Sequence, residues 1–276
     1  MQVLPKNKYY EINKLLANVN INKLFAQAVI EKHVDGNIYV DNINNPSSYY
    51  FVHPYGMSLL FGKTTNENFN DAFKAYALNK NNVRNNHEWM QAYPHEWYST
   101  IESLFANNLI KQKENINNII SGIIEIHTRV NFKFNEQNYL NSRKLLNLSG
   151  YDIRPCDEKL FYNMKGTVVP SKFWNNATDF FNNGKGYSLF IRNEMVTTAY
   201  SAFMVDNKLE IGIETIEKHQ GKGYAKLICS KLIDHCLVNS LEPLWSCRKE
   251  NFSSYKLAQK LGFEPTIEMP FYRLSK

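Results

Sequence analysis

The chain has 276 residues, 43% of them hydrophobic, 14% aromatic and 21% charged, with a net charge of +6. That length suits two modest domains better than one, and the apolar content can fill real cores. A mild basic excess without a dense basic stripe gives no case for nucleic-acid binding and suits a phosphorylated small molecule.

Helical spacing comes first, at Ile12, Leu15, Leu16 and Val19, then at Leu24, Phe25 and Ala28. Three strand-like runs follow, "NIYV", "SYYFV" and "MSLLF", divided by the turn signals "NNPS" and "HPYG". Thr64 and Glu67 have capping-box spacing before a helix in "NFNDAFKAYAL". A strand is predicted in "EWMQAY", a helix from Glu96 to about Asn108, and a strand in "IISGIIEIHTRVNFKF". The polar stretch "NEQNYLNSRKLLNLSG" reads as the boundary, giving domains at 1–143 and 144–276. The second half repeats the order of elements. Strands are predicted at "GYSLFI", "EMVTTAYSAFMV" and "KLEIGIETI", with turns at Arg192-Asn193 and Asp206-Asn207. A helix over about 222–238, a short strand "LWSC", a helix over about 252–261 and a strand region "FEPTIEMPFYRL" complete it. Meander, helix, strand, helix, strand thus occurs twice: a repeat of architecture rather than of residues.

No apolar run reaches the roughly 18 residues a membrane helix needs, and "MQVLPKNKYYEINKLL" has no signal-peptide pattern. Cys156, Cys229, Cys236 and Cys247 form no CxxC pair, and Cys229 and Cys236 share a helix face. The expectation is a cytoplasmic protein with reduced thiols and no membrane partner. The histidines lack metal-ligand spacing, so no metal is expected.

The stretch that carries chemistry is "EKHQGKGYAK", Glu217 to Lys226. Three phosphate motifs compete for it and its surroundings. "GMSLLFGKT" ends in Gly62-Lys63-Thr64, but Gly56 is too far upstream for a P-loop and the intervening residues are apolar strand residues. Gly221 and Gly223 begin a dinucleotide fingerprint, but Lys226 stands where its third glycine belongs. Gln-x-x-Gly-x-Ala, at Gln220, Gly223 and Ala225, fits between a strand and a helix without strain. The two glycines let backbone approach closely and expose successive N–H groups, and the helix start adds positive partial charge.

On that motif the second half resembles the GNAT superfamily of acyl-CoA N-acetyltransferases, whose signature is [Gln/Arg]-x-x-Gly-x-[Gly/Ala]. Asn251 and "KLGF" (Lys260 to Phe263) stand where the family carries an Asn and a helix ending before Gly-Phe. The resemblance implies an α/β (α+β) fold with a mixed central sheet whose fourth and fifth strands splay apart. Acetyl-CoA is the implied cosubstrate. Its pyrophosphate lies over Gln220, Gly221, Lys222, Gly223, Tyr224, Ala225 and Lys226, its pantetheine along Ile213, Glu214 and Thr215, with Asn251 and Ser254 facing it. An amine is implied to attack the thioester directly in a ternary complex. The first half has the element order but not the motif, and reads as a degenerate GNAT-like half that shapes the acceptor site.

Glu210 and Glu214 alternate with Gly212 on one strand face and are the candidate bases for the acceptor amine. The resemblance favours Glu210; a charged pair on a half-exposed face is the plainer alternative. Where many members carry a tyrosine that protonates the leaving thiolate, this chain has Ala258. That departure keeps a non-catalytic CoA-binding module open beside the enzyme. An aminoacyl-tRNA-dependent transferase is a third reading, disfavoured by the intact CoA motif. Monomer and homodimer both stay open.

Overall fold

The computed structural model describes residues 1–111 and 122–276; residues 119–121 of the strand expected in "IISGIIEIHTRVNFKF" lie outside them. The described chain forms two compact units. One holds Met1–Arg129, Arg248–Glu250 and Glu268–Lys276; the other holds Val130–Cys247 and Asn251–Ile267.

In chain order the elements are β1 (Gln2–Val3), α1 (Tyr9–Leu16), α2 (Leu24–Ile30), β2 (Asn37–Val40), β3 (Ser48–Val52), β4 (Met57–Gly62), α3 (Glu67–Ala77), β5 (Glu88–Tyr93), α4 (Trp97–Leu104), β6 (Leu109–Lys111) and β7 (Ile124–Phe134). Then come α5 (Glu136–Arg143), β8 (Asp152–Pro155), α6 (Glu158–Asn163), α7 (Ala177–Asn183), β9 (Gly186–Ile191), β10 (Glu194–Val205), β11 (Lys208–Thr215), α8 (Tyr224–Val238), β12 (Glu242–Arg248), α9 (Phe252–Lys260) and β13 (Phe263–Leu274).

In the first unit, β2, β3 and β4 form an antiparallel meander, and β5 joins β4 in parallel through an α3 crossover. Its core gathers Tyr50, Leu60, Phe69, Phe73, Met90, Trp97 and Phe105. The helical periodicity expected at the start is interrupted. Asn22 accepts from the Leu24 amide, and Lys23 donates to the Ala17 and Val19 carbonyls, so α1 ends and α2 begins afresh. The expected capping box at Thr64 and Glu67 is also corrected. Asn66 caps α3 by accepting from the Phe69 amide at 3.1 Å, while the Thr64 carbonyl accepts from Asn70.

In the second unit, β8, β9, β10 and β11 form an antiparallel meander, and β12 joins β11 in parallel through α8. Ile191 and Glu194 pair across a tight turn in which Arg192 and Asn193 both have positive φ, matching the predicted hairpin. Leu209, Ile211, Ile228, Leu232, Ile233, Trp245, Ala258 and Phe263 share one core with Cys229 and Cys236. Burial raises the pKa of both thiols, which makes them packing groups.

The polar stretch read as a connector holds a helix, α5. Asn135 caps it, and its one buried residue is Tyr139. The Tyr139 hydroxyl lies 2.8 Å from the Ser230 carbonyl and 2.5 Å from the Asp234 carboxylate, which Arg143 also grips at 2.8 Å. Gly262, which ends α9, has φ +84°, and a Cβ there would sit 2.6 Å from the Tyr139 amide nitrogen and 2.8 Å from the Asn135 carbonyl. Gly221 has φ +73° and open space around it. Gly262→Ala is therefore expected to cost about 2 kcal/mol or more, from left-handed strain plus collision with backbone that cannot yield. Gly221→Ala bears only the strain, about 1–2 kcal/mol. Thermal unfolding followed by circular dichroism checks the order; equal losses would contradict it.

Candidate active site

The site begins with a hydrogen-bonding failure between two parallel strands. β11 and β12 pair at Lys208↔Glu242, Leu209↔Pro243 and Glu210↔Leu244, and their register ends there. β11 runs on to Thr215 and β12 to Arg248, so the strands fork after Glu210. On the far side β10 carries a bulge between Ser201 and Phe203, opposite Ile211 and Glu210. A bulge bends and twists its strand pair, so the irregularity sits where the fork opens. The corresponding strands of the first unit stay zipped, from Met57↔Trp89 to Phe61↔Tyr93.

Beyond the fork, β11 has one used edge and one open edge. The Ile216 amide bonds to Val196 on β10, and the Glu214 carbonyl accepts from Thr197. Alternation then turns the backbone groups of Ile213 and Thr215 toward the open side. Gln220 donates to the Thr215 carbonyl at 3.2 Å and ties the following loop back to the strand.

That loop ends in a helix start with spare donors. Gly221 and Gly223 both take left-handed φ, +73° and +82°, and Gly223 is the N-cap of α8 without a side-chain cap. Among the described residues, the amides of Gly221, Lys222, Gly223, Tyr224 and Ala225 donate to no protein acceptor. Successive N–H groups at a helix N-terminus, with no Cβ in the way, form an anion cradle. Lys218 is taken by Glu194 at 2.5 Å, whereas Lys222 and Lys226 have no carboxylate partner among the described residues. The first unit's equivalent helix, α3, has its cap filled by Asn66.

The even positions of β11 face away from the α8 core. Glu210 is buried at the fork's apex. A Cβ on Gly212 would lie 2.6 Å from the Tyr200 ring, so only glycine lets that tyrosine lie flat across the strand. The Glu214 carboxylate accepts from the Thr167 and Val168 amides at 2.9 and 2.8 Å and holds that loop against β11. This clamp escaped the sequence reading, because Gly166 to Val168 are distant in sequence and carry no motif.

Asn251 is a working N-cap, accepting from the Ser254 amide at 3.2 Å. The Ser254 hydroxyl in turn accepts from the Trp245 indole at 3.2 Å, tying α9 to β12. Ala258 lies fully buried in the core, and Tyr255 packs edge-to-face on Phe132 with ring centres 5.2 Å apart. Among the described residues there is no group of three or more side chains able to hold a metal ion, and no helix is long and apolar enough to cross a membrane.

Known proteins resemble this chain in sequence and fold. The family profile described as GNAT acetyltransferase matches residues 14–272. The uncharacterized N-acetyltransferase YdfB of Bacillus subtilis (strain 168) is 23% identical over 276 residues, covering 99% of this chain and 98% of that protein. A GCN5-related N-acetyltransferase-like protein from Streptococcus suis 89/1591 superposes with a TM-score of 0.70 at 20% identity, covering 97% of this chain and 99% of its own. A tandem GNAT protein from the clavulanic acid biosynthesis pathway superposes with a TM-score of 0.61 at 8% identity, covering 99% of this chain and 97% of its own. The mixed α/β fold expected from the Gln220 motif is therefore present, and the chain belongs to the GNAT acetyltransferase family.

Proposed function

We propose that this protein transfers an acetyl group from acetyl-CoA to a primary amine by direct attack in a ternary complex. The observation that carries the reading is the pairing of an open β11 edge with unsatisfied amides at Gly221–Ala225. Pantetheine would add to Ile213–Thr215 as a strand does, and the pyrophosphate would take the amides with Lys222 and Lys226. Asn251 and Ser254 shape the β12 side of the slot. The fork geometry favours the second half alone, because the equivalent strand pair of the first unit stays zipped and its equivalent helix, α3, is capped. Residues 1–143, on this reading, are a GNAT-like half that supplies no CoA site.

For the acceptor, Glu210 is the base we favour. It is buried at the apex of the fork, on the strand face opposite the α8 core. An amine arrives as a cation and must lose a proton before it attacks; a nearby carboxylate attracts the cation and takes the proton. Glu214 is the second candidate, and its carboxylate already holds Thr167 and Val168. One observation favours the non-catalytic alternative: Ala258, buried in the core, offers no proton to a leaving thiolate. A thiolate is a stable enough leaving group for water to serve. Thiol release across an amine panel separates the readings, since a binding module holds CoA without turnover.

Calorimetric titration of the full chain with acetyl-CoA is expected to give one site. Gly223→Val should weaken it at least tenfold, equivalent to about 1.5–3 kcal/mol, because a β-branched residue resists the +82° φ that presents the cradle amides. Two sites, or unchanged affinity in a folded variant, would contradict the assignment.

Glu210→Gln should lower kcat/KM by roughly 10²–10⁴-fold with acetyl-CoA affinity intact, and should remove the acidic limb of the pH profile. Glu214→Gln should act on the 166–168 loop, raising acceptor KM more than it lowers kcat. Wild-type rates in both variants would put the base elsewhere.

A further inference from the structure

The first unit holds a polar cluster that acetyl transfer at the fork does not use. Trp89 and Gln91 share a face of β5, two residues apart. The Trp89 ring stacks on Phe271 at 5.0 Å and meets the His127 ring at 4.9 Å. Arg248 lays its guanidinium over the same indole, 4.8 Å from the ring centre. Around this stack the charges are mostly spent. Arg273 donates to Glu125 at 2.6 Å, Glu125 lies 3.2 Å from His127, and Glu250 accepts from the Thr128 amide at 3.0 Å.

Two groups stand out. Among the described residues, the half-buried Arg248 guanidinium meets no carboxylate or other acceptor. Gln91 is 0% exposed, and neither its oxygen nor its nitrogen has a partner. Buried polar groups are nearly always satisfied, and leaving them empty is costly. One buried orphan amide and, on the same aromatic stack, one half-exposed guanidinium without a carboxylate have complementary chemistry and describe a ligand. Arg248 calls for an anion, and its planar fork matches a carboxylate. The one charge of Arg248 balances one negative charge, which favours a carboxylate over a phosphate dianion. The Gln91 amide both donates and accepts, which suits a hydroxyl or amino group beside that carboxylate. Trp89 and Phe271 supply an apolar wall.

We propose that the first unit binds a small organic monocarboxylate bearing a second polar group, of the α-hydroxy or α-amino acid class, through Arg248, Gln91 and the Trp89 stack. The site is expected to be occupied without CoA, so binding there is measured apart from the transfer reading.

The test uses the full chain without CoA. A series of α-hydroxy and α-amino acids, from lactate and alanine to phenyllactate and phenylalanine, is added, each beside its uncharged amide. Inorganic phosphate serves as the competing anion. Melting temperature and tryptophan fluorescence are read together. At least one acid should raise the melting temperature and change the tryptophan fluorescence, the latter change being lost in Trp89→Phe, while its amide and phosphate do neither. Arg248→Gln should weaken that acid at least tenfold. Gln91→Leu should leave the apo protein as stable or more stable, since it removes an orphan amide, yet weaken the acid. Three results would overturn the proposal. They are an acid response no greater than that of the amides, an equal response to phosphate, or unchanged binding in Arg248→Gln. A Gln91→Leu protein that is less stable without ligand would show instead that the amide serves the fold.

Discussion

Two parallel strands that stop bonding after Glu210↔Leu244 set the terms for everything else in the second unit. Strand edges are expensive to leave open, and a parallel pair in the middle of a sheet has no structural reason to part. Here the parting is built in. The bulge between Ser201 and Phe203 bends the neighbouring ladder at the fork, and the short β12 is held from outside by the Trp245–Ser254 contact. The α8 core then grips the odd positions of β11 while the even positions are free to face another way. Splay, strand edge and helix entry are one feature seen from three sides.

The loop after β11 completes it. Gln220 pulls the chain back onto Thr215, and two left-handed glycines aim successive amides outward at the start of a 15-residue helix. Any side chain at those positions would tilt the backbone out of this shape before it met anything else. The first unit has the same order of meander, crossover helix and parallel strand, yet its strand pair is closed and its helix capped by Asn66. The difference between a ligand-ready half and a closed one thus lies in a few hydrogen bonds rather than in the fold. What the first unit does carry is an unmet buried amide at Gln91, near a half-buried Arg248 guanidinium without a carboxylate partner among the described residues.

Much of this was legible in the sequence, and the pattern of success is physical. Apart from the four-residue β8, whose polar sequence gives no strand signal, the strands of both meanders alternate or run apolar between Gly, Asn and Pro turns, so their places are readable to within a residue or two. The glycine motif was readable because φ beyond +70° at Gly221 and Gly223 is a backbone demand that few residues meet. The helix α5 was not, because one buried tyrosine among polar neighbours leaves no periodicity to detect. The helices α6 and α7, of 6 and 7 residues, are too short to show a helical period, though their caps at Asp157 and Asn176 are visible signals. Thr64 and Asn66 are both good cap residues by type, and only the geometry selects Asn66. The Glu214 clamp on Thr167 and Val168 could not be read at all, since it joins segments with no shared motif.

Hydrogen–deuterium exchange with and without acetyl-CoA tests the central claim most directly. If the fork and the cradle are one binding slot, acetyl-CoA should slow exchange in residues 211–216 and 221–226 together, and leave residues 57–70 of the first unit unchanged. Protection confined to the first unit, or none in either segment of the second at saturating acetyl-CoA, would contradict the account.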